Sequence, residues 1–164
     1  KLQEVISSVQ DKVLIFTSYR DSVNVINETL QKMGINSEIL IGKAGDTGLK
    51  QQKQIETVQR FREGETKVLV ATRVGEEGLD ISEVNLVIFY DNVPSSIRFI
   101  QRKGRTGRKA AGKLLVLIAK DTIDEAYYWI GQRKIKSAKQ MGDKLSKKID
   151  AGELNPTESL DSFL

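Results

Sequence analysis

Uninterrupted runs of apolar residues recur along the chain and predict its strands. The four strongest runs are Val13–Phe16, Val68–Ala71, Leu86–Tyr90 and Leu114–Ile118, and a weaker one is Ser37–Ile41. A half-buried strand alternates apolar and polar residues, whereas these runs are apolar at consecutive positions. Such runs are typical of strands buried on both faces, so the pattern predicts a parallel sheet covered by helices.

Helical periodicity occupies the segments between the predicted strands. Apolar residues at helical spacing form two stripes, namely Val23, Ile26, Leu30 and Met33, and then Ile55, Val58 and Phe61. The stripes are followed by Gly34 and Gly64, and glycine commonly ends a helix. Further on, Thr122–Glu125 has the pattern of a capping box. We expect it to open a long helix whose apolar face carries Ile123, Tyr127, Ile130 and Met141.

The alternation of strands and helices predicts a three-layer α/β domain around a central, mostly parallel sheet. We expect this domain to comprise residues 1–142. Residues 143–164 are polar, with Gly152 and Pro156 among them, and predict a linker or flexible tail. In open α/β sheets, ligands bind beyond the carboxyl ends of the strands.

The composition removes several classes of chemistry. The chain of 164 residues contains no Cys and no His. Disulfides, thiol nucleophiles, Cys/His zinc sites and a Ser-His-Asp triad are therefore excluded. No apolar run approaches the length of a membrane span, so we expect no membrane partner and a cytoplasmic, nucleoid-associated location. The first residue is Lys1 rather than Met, which indicates a fragment.

Positive charge is concentrated in two segments although the net charge is only +4. Arg98–Lys113 contains seven Lys or Arg and no carboxylate, and Arg133–Lys148 contains seven against one Asp. Basic stripes of this kind are typical of polyanion-binding surfaces. For the second segment, a solvated helix face and a DNA-tracking surface remain equal alternatives.

The first basic segment includes the octet Gln101–Arg108, in which Arg105 and Arg108 are three residues apart. On a helix this spacing places both guanidinium groups on one face, where they can converge on a phosphate chain. A solvated basic helix is the alternative explanation of the octet alone.

Polar residues follow the predicted strands at the edge where ligands bind. Thr17 and Ser18 come after the first strand, and residues 72–80 come after the Val68–Ala71 strand. Small hydroxyls and backbone N–H groups donate to phosphate oxygens, and glycines such as Gly78 permit close approach of a ligand. Asp80 is a candidate acceptor for ribose hydroxyls.

The sequence lacks a Gly-x-x-x-x-Gly-Lys-Ser/Thr phosphate loop and a strand followed by an Asp-Glu pair. The chain thus contains arginines that can bind a polyphosphate but lacks the loop that would hold it. Because arginine fingers can be supplied from a second domain, we expect a partner domain to hold ATP.

Three segments in order resemble helicase motifs IV, V and VI: Ile15–Tyr19, Val70–Ile81 and Gln101–Arg108. These motifs are found in the second RecA-like domain of the DEAD/DExH helicase superfamily, a P-loop NTPase-like fold. Motif VI begins with Gln101 where DEAD-box proteins have His, and motif V reads Val-Gly-Glu-Glu-Gly. With Asp124–Trp129, these variants are most similar to the archaeal Hef and Fanconi-anaemia fork translocase type. The RIG-I-like and Dicer helicases come next.

The resemblance implies a role for each matching residue. Arg105 and Arg108 match the arginine fingers on the γ-phosphate, and Gln101 matches a residue near that phosphate and the attacking water. Asp80 matches the acid that contacts the ATP ribose, with Gly78 beside it. The positions that match contacts to the nucleic-acid backbone are Thr17, Ser18, Gly42, Thr72 and Arg73.

The function implied is the C-terminal half of an ATP-dependent DNA helicase that acts on forked DNA in repair, in an archaeon. Its cofactor is ATP with Mg²⁺, whose metal ligands lie in an N-terminal RecA-like domain in cis, so the isolated domain is expected to be inactive. The alternatives are an RNA helicase or duplex-RNA translocase, and a non-enzymatic nucleic-acid-binding module.

Two further features have alternatives. Trp129, with Tyr127 and Tyr128, either packs a helix onto the sheet or stacks on a base. Residues 157–164 are similar to a sliding-clamp-binding peptide through Leu160, Phe163 and Leu164, and a frayed terminus is the alternative.

Overall fold

The computed structural model describes residues 2–7, 9, 12–42, 51–72, 81, 84–92 and 113–152. The helices in this part of the chain are α1 (Leu2–Ser7), α2 (Arg20–Lys32), α3 (Gln51–Glu63) and α4 (Ile123–Asp150). The strands are β1 (Val13–Phe16), β2 (Ser37–Leu40), β3 (Val68–Ala71), β4 (Leu86–Phe89) and β5 (Lys113–Val116). All five predicted strands are present, and α1 was not predicted.

The five strands form one sheet in the order β2-β3-β1-β4-β5, and every neighbouring pair is parallel. The register is even, because Phe16 at the end of β1 pairs with Ala71 of β3 and with Phe89 of β4. The carboxyl ends of the strands are therefore level. The predicted α/β class and parallel sheet are confirmed.

Consecutive residues of the buried strands pack on opposite faces of the sheet. On one face, Val13 and Ile15 join a core that includes Ile26 and Leu30 of α2. On the other, Leu14 and Phe16 join a core that includes Phe61 of α3. Both faces of β1 are fully buried, which explains its unbroken apolar sequence.

The ends of α2 and α3 are set by glycine, as predicted. Gly34 and Gly64 have positive φ values of 74° and 88°, a conformation that glycine adopts without steric cost. The predicted stripe of α3 is wrong at one position, since Ile55 is 51% exposed. The buried face of α3 is rotated onto Gln54, Thr57, Val58 and Phe61.

An ion pair attaches α3 to the edge strand β2. Arg60 donates from Nε and Nη2 to the two carboxylate oxygens of Glu38, at 2.9 and 2.5 Å. Thr66 donates a further hydrogen bond of 2.6 Å to the same carboxylate. These bonds hold the pKa of Glu38 below its ordinary value, and the hydrogen bond from Arg60 contributes most to this lowering.

Helix α4 begins where the capping pattern predicts. Thr122 is the N-cap, and its hydroxyl accepts from the backbone N–H of Asp124. Glu125 accepts from the backbone N–H of Asp121, one residue before the position that a capping box requires. The helix continues to Asp150, so the predicted boundary at residue 142 falls inside it and residues 143–150 are helical.

Candidate functional site at the carboxyl edge

The residues that follow the strands form a level edge held together by backbone hydrogen bonds. The N–H of Thr17 donates to the carbonyl of Ala71 at 3.0 Å, and the N–H of Thr72 donates to that of Leu40 at 3.1 Å. Tyr90 N–H donates across to β1 at 2.8 Å. Thr17, Ser18, Gly42 and Thr72 thus lie on the same edge of the sheet, as predicted.

Asp91, at the end of β4, binds the turn that follows β1. Its Oδ2 accepts from the Thr17 hydroxyl at 2.5 Å and from the Ser18 backbone N–H at 2.7 Å. Its Oδ1 accepts from the Ser18 hydroxyl at 2.7 Å. Hydrogen bonds to an ionised acceptor are stronger than neutral ones, so this cluster fixes the start of α2 against β4.

The Asp91 cluster changes what Thr17 and Ser18 can do. A phosphate oxygen only accepts hydrogen bonds, and each hydroxyl has a single proton to donate. In this arrangement both protons are directed to Asp91, and Thr17 is fully buried. The geometry therefore supports a positioning role for Thr17 and Ser18 rather than direct contact with a nucleic-acid backbone.

Arg20 and Gln54 organise the exit of β2. The Nη2 of Arg20 donates to the carbonyl of Gly42 at 2.7 Å, and the amide of Gln54 donates to the carbonyl of Ile41 at 3.2 Å. Gly42 is thereby held beside the first turn of α2. Tyr19, between the Asp91 cluster and Arg20, is exposed at this edge.

Asn92 and Asp124 connect the exit of β4 to the first turn of α4. Asp124 accepts from the backbone N–H of Asn92 at 2.6 Å and from its side-chain amide at 3.1 Å. The same amide donates to the carbonyl of Leu117 after β5 at 2.9 Å. The long helix therefore starts from the ligand-binding edge and has a fixed origin there.

Part of the predicted site lies outside the described residues. This applies to Arg73, Gly78, Asp80, Gln101, Arg105 and Arg108, and to the clamp-binding residues Leu160, Phe163 and Leu164. The segments that carry the site residues begin at the described edge, since residue 73 follows Thr72 and residue 93 follows Asn92.

Sequence reasoning missed Asp91 and Asn92. Both follow a buried apolar run, so the rule that selected Thr17 and Thr72 also applied to them. No local sequence pattern indicates that Asp91 binds Thr17 and Ser18, because these partners are 74 and 73 positions away from it.

Comparison with known proteins identifies the domain type. The family described as helicase conserved C-terminal domain matches residues 1–110. A Methanocaldococcus jannaschii protein, provisionally named an ATP-dependent RNA helicase, is 51% identical over 72% of this chain and 15% of its own length. The ATP-dependent DNA helicase mph1 of Sclerotinia sclerotiorum is 44% identical over 71% of this chain and 10% of its own length.

The fold also matches a solved helicase. The crystal structure of the Pyrococcus furiosus Hef helicase domain superimposes with a TM-score of 0.63 and 48% sequence identity. The match covers 78% of this chain and 26% of that one. The chain spans between 10% and 15% of the length of the two curated relatives, so their other segments have no counterpart in it.

Proposed function

The chain belongs to the helicase conserved C-terminal domain family, and on that basis we propose that it is the second RecA-like domain of an ATP-dependent DNA helicase. The helicase motifs predicted from the sequence are consistent with this family, and so is the RecA-like sheet. The observation that supports the proposal is the level carboxyl edge, where the described residues of motifs IV and V lie together and where Asn92 is the last described residue before motif VI. ATP hydrolysis by the whole protein supplies the energy for movement along nucleic acid.

In this proposal ATP is held, with Mg²⁺, by an N-terminal RecA-like domain in cis. Asp80 accepts hydrogen bonds from the ribose, and Gly78 lets the backbone approach it. Arg105 and Arg108 stabilise the charge on the transferring phosphoryl group, and Gln101 orients groups near the γ-phosphate. Arginine fingers contribute about 10³–10⁵ in rate in other phosphoryl-transfer enzymes.

The nucleic-acid contacts in the proposal are Gly42, Thr72 and Arg73, which the level edge supports by bringing the first two to one side of the sheet. Thr17 and Ser18, bound to Asp91, position this edge. Contacts to phosphate carry no base information, so binding is tolerant of sequence and sensitive to salt.

DNA is the proposed substrate, and forked or branched DNA in repair is the proposed context. The names of relatives support DNA more than RNA, because mph1 and further relatives are named DNA helicases whereas the Methanocaldococcus jannaschii protein is named an RNA helicase. An intracellular, nucleoid-associated location follows from this substrate. Among the described helices, none is long and apolar enough to cross a membrane.

ATPase stimulation tests the substrate. With the full-length protein, we expect forked DNA to raise the ATPase rate more than duplex RNA of the same length and end structure. Linear duplex DNA serves as the control for fork preference. Stronger stimulation by RNA would indicate that the protein is an RNA helicase. No stimulation by either nucleic acid would favour a non-enzymatic binding module.

A sliding clamp is a further proposed partner, bound through Leu160, Phe163 and Leu164. Calorimetry with a peptide of residues 153–164 tests it, and the absence of heat at high micromolar peptide would exclude this partner. A peptide with Phe163→Ala is the matched control.

A further inference from the structure

One face of α4 carries an exposed tryptophan in line with four cations. At 100° per residue, Trp129, Arg133, Lys136, Lys144 and Lys147 lie within about 80° of one another around the helix. All five side chains are exposed, and Trp129 is 54% exposed. From Arg133 to Lys147 the row extends about 21 Å at the rise of an α-helix. We call these five residues the α4 basic row.

The opposite face of α4 is apolar over the same length. It is formed by Ile135, Ala138, Gly142, Leu145 and Ile149, which are spaced alternately by three and four residues. Leu145 and Ile149 are 46% and 42% exposed. Residues 136–150 are exposed on both faces of the helix, so the α4 basic row is open to solvent.

Trp129 is held in a defined orientation although it is exposed. Its ring meets that of Tyr128 edge to face, with centroids 5.1 Å apart and an angle of 73° between the planes. Arg133 lies one turn further on, and its Nε donates to the carbonyl of Trp129 at 3.4 Å. Of the two alternatives for Trp129, its 54% exposure favours an accessible indole over one packed on the sheet.

We propose that the α4 basic row binds single-stranded DNA, with Trp129 stacking on a base and the four cations contacting phosphates along the strand. Sequence-independent single-strand sites combine these two elements, an aromatic platform and a basic track. Charge complementarity favours a polyanion even though Asp143 lies at the border of the row. The origin of α4 at the Asn92–Asp124 contact places the start of the row next to the ligand edge. The inference rests on the proposed DNA helicase function and adds a contact outside its motifs.

Fluorescence tests the stacking, because Trp129 is the single tryptophan of the chain. A 20-nucleotide oligothymidylate, added without ATP, is expected to quench its emission. With a labelled oligonucleotide and anisotropy as the readout, Trp129→Ala is expected to weaken binding at least about fivefold, while Trp129→Phe restores part of the loss. Unquenched emission together with unchanged affinity of Trp129→Ala would overturn the proposal.

The salt dependence of binding tests the phosphate contacts of the α4 basic row. The triple variant Lys136→Gln, Lys144→Gln and Lys147→Gln is expected to lower the slope of log affinity against log salt by about 2, from about 0.7 per phosphate contact. The matched control, Lys32→Gln with Arg62→Gln and Lys67→Gln, neutralises three cations at the opposite edge of the sheet and should keep the slope. Equal losses in both triple variants would show a net-charge effect and overturn the proposal. No ATP is present in these binding assays, so quenching by DNA combined with failure of the ATPase test would contradict only the ATP-site proposal, and the two failures remain distinguishable.

Discussion

Asp91 illustrates how one residue can determine the shape of the ligand edge. Its carboxylate accepts three hydrogen bonds from two consecutive residues, Thr17 and Ser18. Thr17 is fully buried, so its hydroxyl needs a partner inside the protein. The start of α2, and with it the exposed Tyr19, is thereby tied to the end of β4. The Asp91 carboxylate thus stabilises this edge of the sheet.

Replacing Asp91 tests this positioning role. Asp91→Asn exchanges one acceptor oxygen for a donor amide, so three donors then compete for a single carbonyl oxygen. We expect the free energy of unfolding to fall by about 1–3 kcal/mol, the cost of an unsatisfied buried donor. Urea unfolding measures it, and faster hydrogen exchange at Ser18 should accompany the loss. Asp150→Asn, at the exposed end of α4, is the control. An unchanged unfolding midpoint in Asp91→Asn would contradict the role.

Among the elements, the edge strand β2 and helix α3 depend on an ion pair that titrates. The bonds from Arg60 and Thr66 hold the pKa of Glu38 below its ordinary value near 4.5. The folded state therefore binds fewer protons at this site than the unfolded state does. The resulting stabilisation is complete above the unfolded-state pKa and is lost as the pH falls through the lower, folded-state pKa.

The variant Glu38→Gln tests this linkage. At pH 7 we expect a midpoint of thermal unfolding a few degrees below that of the natural chain, because the pair is partly exposed and screened. The difference should shrink as the pH falls below about 4.5, because the carboxylate of the unfolded chain then becomes protonated. It should vanish once the pH is below the lower, folded-state pKa. Thermal unfolding at a series of pH values measures this difference, and Glu28→Gln, at an exposed position of α2, is the control. A difference that stays constant down to low pH would exclude the titration of Glu38 as its cause.

Most strands and helices were predictable from the sequence, because burial restricts the residue types at each position. Strands β1, β3 and β4 are buried along their length and consequently apolar at every position. The exposure of Ile55 and the length of α4 were not predictable in this way. The side of α3 that faces the sheet depends on partners distant in sequence, and polar residues 143–150 are compatible with a helix as well as with a linker.

At the scale of the whole molecule, the level sheet edge brings the strand exits to one side. The even register brings the exits of all five strands to one side, and the hydrogen bonds of Asp91, Arg20 and Asp124 connect those exits. The predicted edge residues that are described lie together there. The Asp91 cluster was not foreseen, because it joins segments more than 70 residues apart. The sequence contains arginines that can bind a polyphosphate but no phosphate loop, which is why the proposed ATP site includes a second domain.

The central claim is that Arg105 and Arg108 act on ATP held by that other domain, and one measurement tests it most directly. In the full-length protein with saturating forked DNA, Arg105→Ala with Arg108→Ala is expected to lower the ATPase rate by about 10³ or more. Its affinity for ATP should stay within a few fold of the natural protein, because arginine fingers act mainly in the transition state. Lys103→Ala, a neighbouring cation in the same octet, should keep most of the activity. An unchanged ATPase rate in the double variant would contradict the account.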